Sequence, residues 1–542
     1  MCSITYIENG TEEEGRRINQ VLAHRGPDSS GLVRTAGDVI GANRLAIVDL
    51  SGGDQPITTK DGRYTIAYNG EVYNHKTLKR NLERKGRRFR TNCDTEVVLN
   101  AVAEKGSEAP KDFDGQFAYV VKDSETGKVY AGRDHFGIRP LYYGIGRKGL
   151  VIASEIPGLL ANAVLGGELR KLPQGCTLEY NLRKGKPEIR RYYDLRDHVR
   201  KEEVDPRKLF HLLDKAVRKR VPQEVDHATI LSGIDSSTIA YFADRQKKKP
   251  KMTYTVATDP KALDVQSARA ISKQLGIENK VLFVDEDFVI RHLDDVVRTM
   301  ASPMFFPLIN AFPTLRLAKE IKKDGIKVIM TGSGSDETNI GYDFLWEMFD
   351  PKYAEENALN LIQSVGENEC FREDRVFGSQ GREGRVPFLD KGLVECVLST
   401  PFGERVPEMS RTKSKWQLRE TMRGKIPDLI VEREKDNLYR STGMMPLMTK
   451  VADRLMSDEV YAKYMTSLKG TGWENWVFGG KIAAIFHKRW AELYPELAAV
   501  PLADVTCGWQ MTPNFDDLNM LSKYWVTAGG GINLKGWSGK TE

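Results

Sequence analysis

Cys2 directly follows Met1, so removal of a single residue would put a thiol and a free α-amine on the same amino acid. An α-amine has a reference pKa of about 8 and can act as the base for its own nucleophile. Far downstream, Ser232-Gly233-Ile234-Asp235-Ser236-Ser237 follows a short apolar run. A Ser/Gly loop ahead of a helix offers unpaired N–H groups to a phosphate. An aspartate in that loop can hold Mg²⁺ through hard oxygen contacts. A second glycine-rich turn, Thr331-Gly332-Ser333-Gly334-Ser335-Asp336-Glu337, brings two more carboxylates. The six cysteines form no CxxC pair and the eight histidines no HxxxH or HExxH spacing. That argues against a disulfide framework or a transition-metal site and for a reducing, cytoplasmic setting.

Two kinds of scaffold must position these groups. Residues 1 to about 195 are dense in short alternating runs and turn signals, with strands expected at 65–68, 117–121, 129–131 and 141–143. Residues 196–206 are charged and end in proline, which reads as a linker. Beyond it, helical periodicity at 209–220, a strand at 229–231 and a helix at 237–245 begin an alternating pattern. A helix at 314–323 and a strand at 327–330 continue it, which implies an α/β domain with a parallel sheet. From about 346 the chain reads as mainly helical, and the Gly529-Gly530-Gly531 tail as flexible. With 542 residues, two or three domains are expected. A net charge of +6 on interspersed charges gives no nucleic-acid patch, and no apolar run is long enough to cross a membrane.

Cys2 does not stand alone. His24-Arg25-Gly26-Pro27-Asp28, Arg44-Leu45-Ala46-Ile47-Val48-Asp49, Tyr68-Asn69-Gly70-Glu71-Val72-Tyr73-Asn74 and Asp94-Thr95-Glu96 follow in order. Arg133-Asp134-His135-Phe136-Gly137-Ile138-Arg139-Pro140-Leu141 and Ala153-Ser154-Glu155-Ile156 come next. This set resembles the class II glutamine amidotransferases, whose nucleophile is an N-terminal cysteine. The resemblance implies glutamine binding by Arg44, Ile47, Val48, Asn69, Gly70, Glu71 and Asp94. Arg44 can grip the glutamine carboxylate with paired hydrogen bonds and Asp94 the ammonium. The Asn69 side chain and the Gly70 N–H can hold the oxyanion formed when Cys2 attacks the amide. The plain alternative for Asn69-Gly70 is a hairpin turn. For Arg133-Asp134 a buried structural ion pair is preferred.

In the second half, Asp374-Arg375, Glu383-Gly384-Arg385-Val386-Pro387-Phe388-Leu389-Asp390, Lys415-Trp416-Gln417-Leu418-Arg419 and Arg433-Glu434-Lys435 follow the two loops. In this order they look like the synthetase domain of the asparagine synthetase and β-lactam synthetase family. The resemblance implies an α+β, Ntn-hydrolase-like layered sandwich (residues 2–195) joined to an α/β, Rossmann-like ATP-pyrophosphatase domain (206–445). A helical C-terminal part of unassigned role (446–542) completes the chain. It further implies nucleotide contacts from Leu231, Ser232, Gly233, Asp235, Ser236, Ser237, Val256, Thr331 and Gly332. Asp235 and Asp336 would ligate Mg²⁺, and Lys435 would neutralise charge on the transferring phosphate. Ser333, Glu337, Glu383 and Arg385 form the expected acceptor region. The implied substrates are glutamine, ATP and a carboxylic acid, most directly aspartate, and the resemblance suggests a homodimer.

Two positions depart from the family pattern. The loop reads Ser-Gly-Ile-Asp-Ser rather than Ser-Gly-Gly-x-Asp-Ser, and Ser333 stands where the family has a glutamate that helps position or activate the acceptor. The loss of one glycine tightens the turn and removes a phosphate-facing N–H. Two other readings therefore stay open: amidation of a different carboxylate, or a working glutaminase joined to a degenerate nucleotide-binding domain.

Overall fold

The computed structural model describes residues 1–162, 169–181, 185–200, 206–342, 351–367, 369–408, 414–434, 438–471, 473, 477 and 480–499. The expected flexible tail and Lys435 lie outside them, as do residues 201–205 of the expected linker. Among the described residues, no helix is long and apolar enough to cross a membrane.

Among the described residues, the N-terminal half has twelve strands in two antiparallel sheets. β1 (Ser3–Ile7), β2 (Ser29–Thr35), β3 (Asp38–Arg44), β4 (Ile57–Thr58), β5 (Tyr64–Val72) and β6 (Gly115–Asp123) come first. They are followed by β7 (Lys128–Arg133), β8 (Tyr142–Gly146), β9 (Gly149–Ala153), β10 (Arg170–Lys171), β11 (Cys176–Asn181) and β12 (Pro187–Arg191). One sheet runs β10-β8-β9-β1-β3-β2, the other β12-β11-β7-β6-β5-β4. Successive strand side chains point to opposite faces, and the burial follows that rule. Ile4 and Tyr6 of the first sheet meet Ala67, Ala118, Val120 and Ala131 of the second in one apolar layer. The opposite face of β5 and β6, with Ile66, Tyr68, Phe117 and Tyr119, packs on the helix Asp94–Lys105. On the outside of the first sheet, Thr5 bonds Asn19 of the helix Glu12–Val21, whose start carries a Thr11/Glu14 capping box. The result is a helix–sheet–sheet–helix sandwich.

The second half is a parallel sheet: β13 (His227–Ile230), β14 (Met252–Ala257), β15 (Asn279–Phe283), β16 (Val328–Met330) and β17 (Glu383–Arg385), in the order β15-β14-β13-β16-β17. Apolar clusters cover both faces, as a parallel sheet requires. One of these clusters takes in Met448, Val451, Phe486 and Trp490, so the helices Met444–Leu455 and Gly480–Leu493 close the sheet's face.

Several expectations change at the element level. Asn69-Gly70 is no hairpin turn but lies inside β5, paired with Ala118 and Phe117. The helix after β13 starts at Ile234, not Ser237, because the short loop leaves Gly233 at the N-cap. The helix expected from Thr314 begins at Phe305 and runs through Pro313. The mainly helical reading after 346 missed β17, three residues whose charged Glu383 and Arg385 hide a buried edge strand. Arg133 and Asp134 are both buried but serve different partners. Arg133 pairs with Glu367 at 3.1 Å and donates to the carbonyls of Gly137, Arg139 and Leu172. Asp134 accepts backbone N–H bonds from Phe117, Phe136, Ile138 and Arg139.

Candidate active sites

Cys2 sits at the head of β1, the central strand beside β3 and β9. Its parity with Ile4 and Tyr6 turns it toward the inter-sheet layer, the layer that Asn69 enters by its parity with Ala67. The Cys2 Sγ accepts the Leu45 N–H at 3.4 Å, and Gln55 Nε2 approaches it at 3.9 Å. Gln55 also accepts the Tyr68 N–H at 2.8 Å, which ties the thiol to β5. Burial raises the Cys2 thiol above its usual value, so it rests as a neutral thiol and needs a base. Met1 is itself fully buried, its ammonium 3.4 Å from the Arg382 carbonyl.

Asn69 is fully buried, and neither its amide oxygen nor its nitrogen has a partner. An orphaned buried amide is expensive, which marks it as a group kept for a ligand. Gly70 has φ +137°, and a Cβ there would stand 2.0 Å from the Gln116 carbonyl, so only glycine fits. Asp94, at the start of its helix, accepts from Tyr68 Oη at 2.8 Å and from the Val72 N–H at 3.0 Å. Arg44 is more constrained than its sequence implied. Its terminal nitrogens already serve the carbonyls of Val48, Asp49 and Leu50 and the Asp54 carboxylate. Asp54 is 71% exposed, the one partner that an incoming carboxylate can replace. Ile47 is buried against Leu45 and Val328. Glu71 is committed to Arg385, with which it pairs at 2.8 Å.

The second site is a cavity of about 220 Å³ at the carboxyl ends of β13 and β16, where the strand order reverses. It gathers Leu231, Ser232, Gly233, Asp235, Ser236, Val256, Thr331, Gly332, Ser333, Asp336 and Glu337. Ser237 does not line it: its side chain is buried behind the loop. The short loop is closed by the Ser232 N–H donating to Ser236 Oγ at 2.8 Å. The helix therefore offers its first-turn N–H groups immediately after Gly233. Asp235 and Asp336 converge on one cation, the fully buried Lys415 ammonium, at 2.5 and 2.7 Å. Glycine at 341 makes this approach possible, since a Cβ there would lie 1.9 Å from Asp336 Oδ1 and 2.4 Å from Lys415 Cε. Burial and the neighbouring Asp336 push the Glu337 carboxyl up to about 8, and Tyr342 Oη donates to it at 2.8 Å.

Glu383 and Arg385, expected in the acceptor region, lie outside this cavity. They belong to an ion network between the two halves, with Arg385 between Glu383 and Glu71 at 2.8 Å each and Arg139 3.6 Å from Glu383. β17 is an edge strand abutting the sandwich, which draws its charges to the junction rather than the nucleotide. Lys415 and Arg433 lie inside the family-like motifs without a role that the sequence assigns, and Arg372 and Glu373 lie outside those motifs. Helical spacing puts Glu369, Arg372 and Glu373 on one side of the helix Glu369–Ser379, which was the available signal.

Comparison with known proteins finds a family for each half of the chain. Residues 1–183 match the model of the glutamine amidotransferase domain, and residues 208–354 and 347–492 match that of asparagine synthase. Asparagine synthetase [glutamine-hydrolyzing] 3 of Arabidopsis thaliana is 30% identical over 82% of this chain and 79% of its own length. Asparagine synthetase B of Escherichia coli K12 is 28% identical over 82% of each chain. A probable asparagine synthetase of Schizosaccharomyces pombe is 27% identical over 94% of this chain and 97% of its own. Among solved structures, a glutamine phosphoribosylpyrophosphate amidotransferase from B. subtilis aligns at TM-score 0.31 and 17% identity, over 53% of this chain and 82% of that one. With a glutamine amidotransferase domain and an asparagine synthase domain in one chain, this protein belongs to the glutamine-hydrolysing asparagine synthetase family.

Proposed function

We propose that this chain makes asparagine from aspartate, ATP and glutamine, with Cys2 releasing the ammonia. The observation that carries the reading is the union of the two sites through one buried ion network. Arg385 of the synthetase sheet holds Glu71, the residue next to Gly70. Arg25 donates to the Cys2 carbonyl at 2.9 Å and pairs with Asp374 of the synthetase half at 2.7 Å.

In the glutaminase half (2–195), excision of Met1 leaves the Cys2 α-amine as the base that ionises the thiol. The glutamine carboxylate displaces Asp54 from Arg44, and Asp94 takes the ammonium. The Asn69 amide and the Gly70 N–H receive the oxyanion. In the synthetase half (from 206), the cavity takes ATP with its phosphates at the Ser232–Ser236 turn. The aspartate carboxylate attacks the α-phosphorus, pyrophosphate leaves, and ammonia then displaces AMP from the acyl-adenylate. Asp235 and Asp336 fit Mg²⁺: two hard carboxylates already close on one cationic point, where Lys415 now sits. A magnesium ion held there would neutralise phosphate charge. Lys435 is kept as a further phosphate-neutralising group. The Arg372–Glu369 ion pair on the cavity wall suits an acceptor with both carboxylate and ammonium groups, which can take one end each.

The test is ATP–pyrophosphate exchange without glutamine over a panel of carboxylic acids. Aspartate should support the fastest exchange. Exchange with another acid but not with aspartate would refute the acceptor, and no exchange with any acid would refute the synthetase reading.

A further inference from the structure

The reaction proposed above has a proton to dispose of. When ammonia attacks the acyl carbon, a C–N bond forms and the C–O bond to the phosphate breaks. AMP leaves with that electron pair, and the nitrogen must lose one proton to become a neutral amide. A buried cavity needs a base to receive it.

We propose that Glu373 is that base, a carboxylate delivered from the helix Glu369–Ser379 to the place beside Ser333. Glu373 is buried and lines the cavity. Its two oxygens accept hydrogen bonds from Ser333 Oγ at 2.6 Å and Thr331 Oγ1 at 2.9 Å. Hydroxyl donors aim a carboxylate without neutralising it. Among the described residues, the cation beside it is Arg372 at 3.7 Å, and Arg372 is committed to Glu369 at 2.6 Å. Of the other acids lining the cavity, Asp235 and Asp336 are engaged with Lys415, Glu369 with Arg372, Glu337 with Tyr342 and Asp264 with Arg433, while Glu434 is exposed. Chain placement supports the role. The next residue, Asp374, pairs with Arg25, which holds the Cys2 carbonyl. One helix thus separates the ammonia source from the cavity, and Glu373 is on its cavity side. The serine at 333 ceases to be a gap: it anchors a glutamate that arrives from another element.

This inference rests on the synthetase reading, and its test is a ratio of half-reactions on whichever acid the wild type adenylates. Choice of a different acid would therefore correct the acceptor and leave the ratio readable. In Glu373→Gln, amide formation from added ammonia should fall about 10²–10⁴-fold, while ATP–pyrophosphate exchange falls less than about tenfold. Glu373→Asp should recover part of the loss. Ser333→Glu alone should lower synthesis, because two carboxylates would crowd one place. The double variant Ser333→Glu/Glu373→Ser, which moves the carboxylate to the other side of the same hydrogen bond, should regain at least about tenfold over Glu373→Ser. Exchange also reports that each variant is folded. Equal loss in both half-reactions, wild-type synthesis in Glu373→Gln, no gain on relocation, or the same split produced by Glu337→Gln instead would each overturn the proposal.

Discussion

Asn69 brings a full amide into the interior and leaves it without a partner, an arrangement that costs about 1–3 kcal/mol in desolvation. The cost is tolerated when the group is a preset donor, because it need not reorganise as charge develops. Asn69→Ala is therefore expected to reduce glutamine hydrolysis about 10²–10³-fold and to leave the fold as stable as wild type or slightly more so. Cys2→Ala should abolish glutamine-dependent synthesis while synthesis from added ammonia continues. Side-by-side assays with the two nitrogen donors decide both. Loss of ammonia-dependent synthesis in either variant would mean that the residue supports the whole molecule rather than the thiol. The Cys2 α-amine freed by loss of Met1 adds a pH dependence: it must be neutral to act as base and has a reference pKa of about 8, so glutaminase activity should rise with pH through neutrality.

At the scale of elements, β5 does two jobs at once. Its alternation buries Ala67 and Asn69 between the sheets and Ile66 and Tyr68 against a helix, while Gly70 breaks the regular strand with φ +137°. Gly70→Ala would force a Cβ to 2.0 Å from the Gln116 carbonyl. The strain expected is about 1–3 kcal/mol, and because the displaced backbone carries the oxyanion donor, glutamine hydrolysis should fail before the protein unfolds. Thermal melting and glutaminase turnover measured on the same sample test this. Wild-type melting together with wild-type turnover would show that the strand relaxes around the methyl group.

Across the whole molecule, the two halves meet through apolar clusters that take residues from both, and a buried charge network sits within that junction. Asp374 lies among Arg25 and Arg139, and Glu155 among Arg375, His24 and Arg25. Burial pushes both carboxyls up, but these cations more than reverse it, holding Asp374 and Glu155 below their usual values. A carboxyl with a depressed folded pKa contributes stability that is fully present above its unfolded value of about 4. That contribution disappears as pH falls through the folded value. The melting temperature should hold from neutrality to about pH 5 and drop steeply below about pH 4. Arg25→Met should destabilise at pH 7 by less than the about 3–5 kcal/mol of a fully broken buried pair, since Arg139 stays with Asp374 and Arg375 with Glu155, and should flatten the acid limb. An unchanged acid limb in Arg25→Met would place the pH sensitivity elsewhere.

What the sequence determined by itself is the part of the chemistry that local pattern encodes. A cysteine after Met1, an Asn-Gly-Glu run, and two Ser/Gly loops each following a short apolar run are contiguous signals. The residues that only tertiary structure could supply act across elements. Lys415 lies 180 residues from Asp235 in the chain, yet its ammonium bridges Asp235 and Asp336. Glu373 reaches Ser333 from a helix 40 residues on. Glu383 and Arg385 look like acceptor residues in their motif, but the edge position of β17 sends them to the junction with Glu71. A buried charge is specified by whichever partner the fold brings within about 3 Å of it, because in a low-dielectric interior only an opposite charge or a hydrogen bond can offset its desolvation. That partner can come from any part of the chain, so its identity is a property of the packing and not of the local sequence.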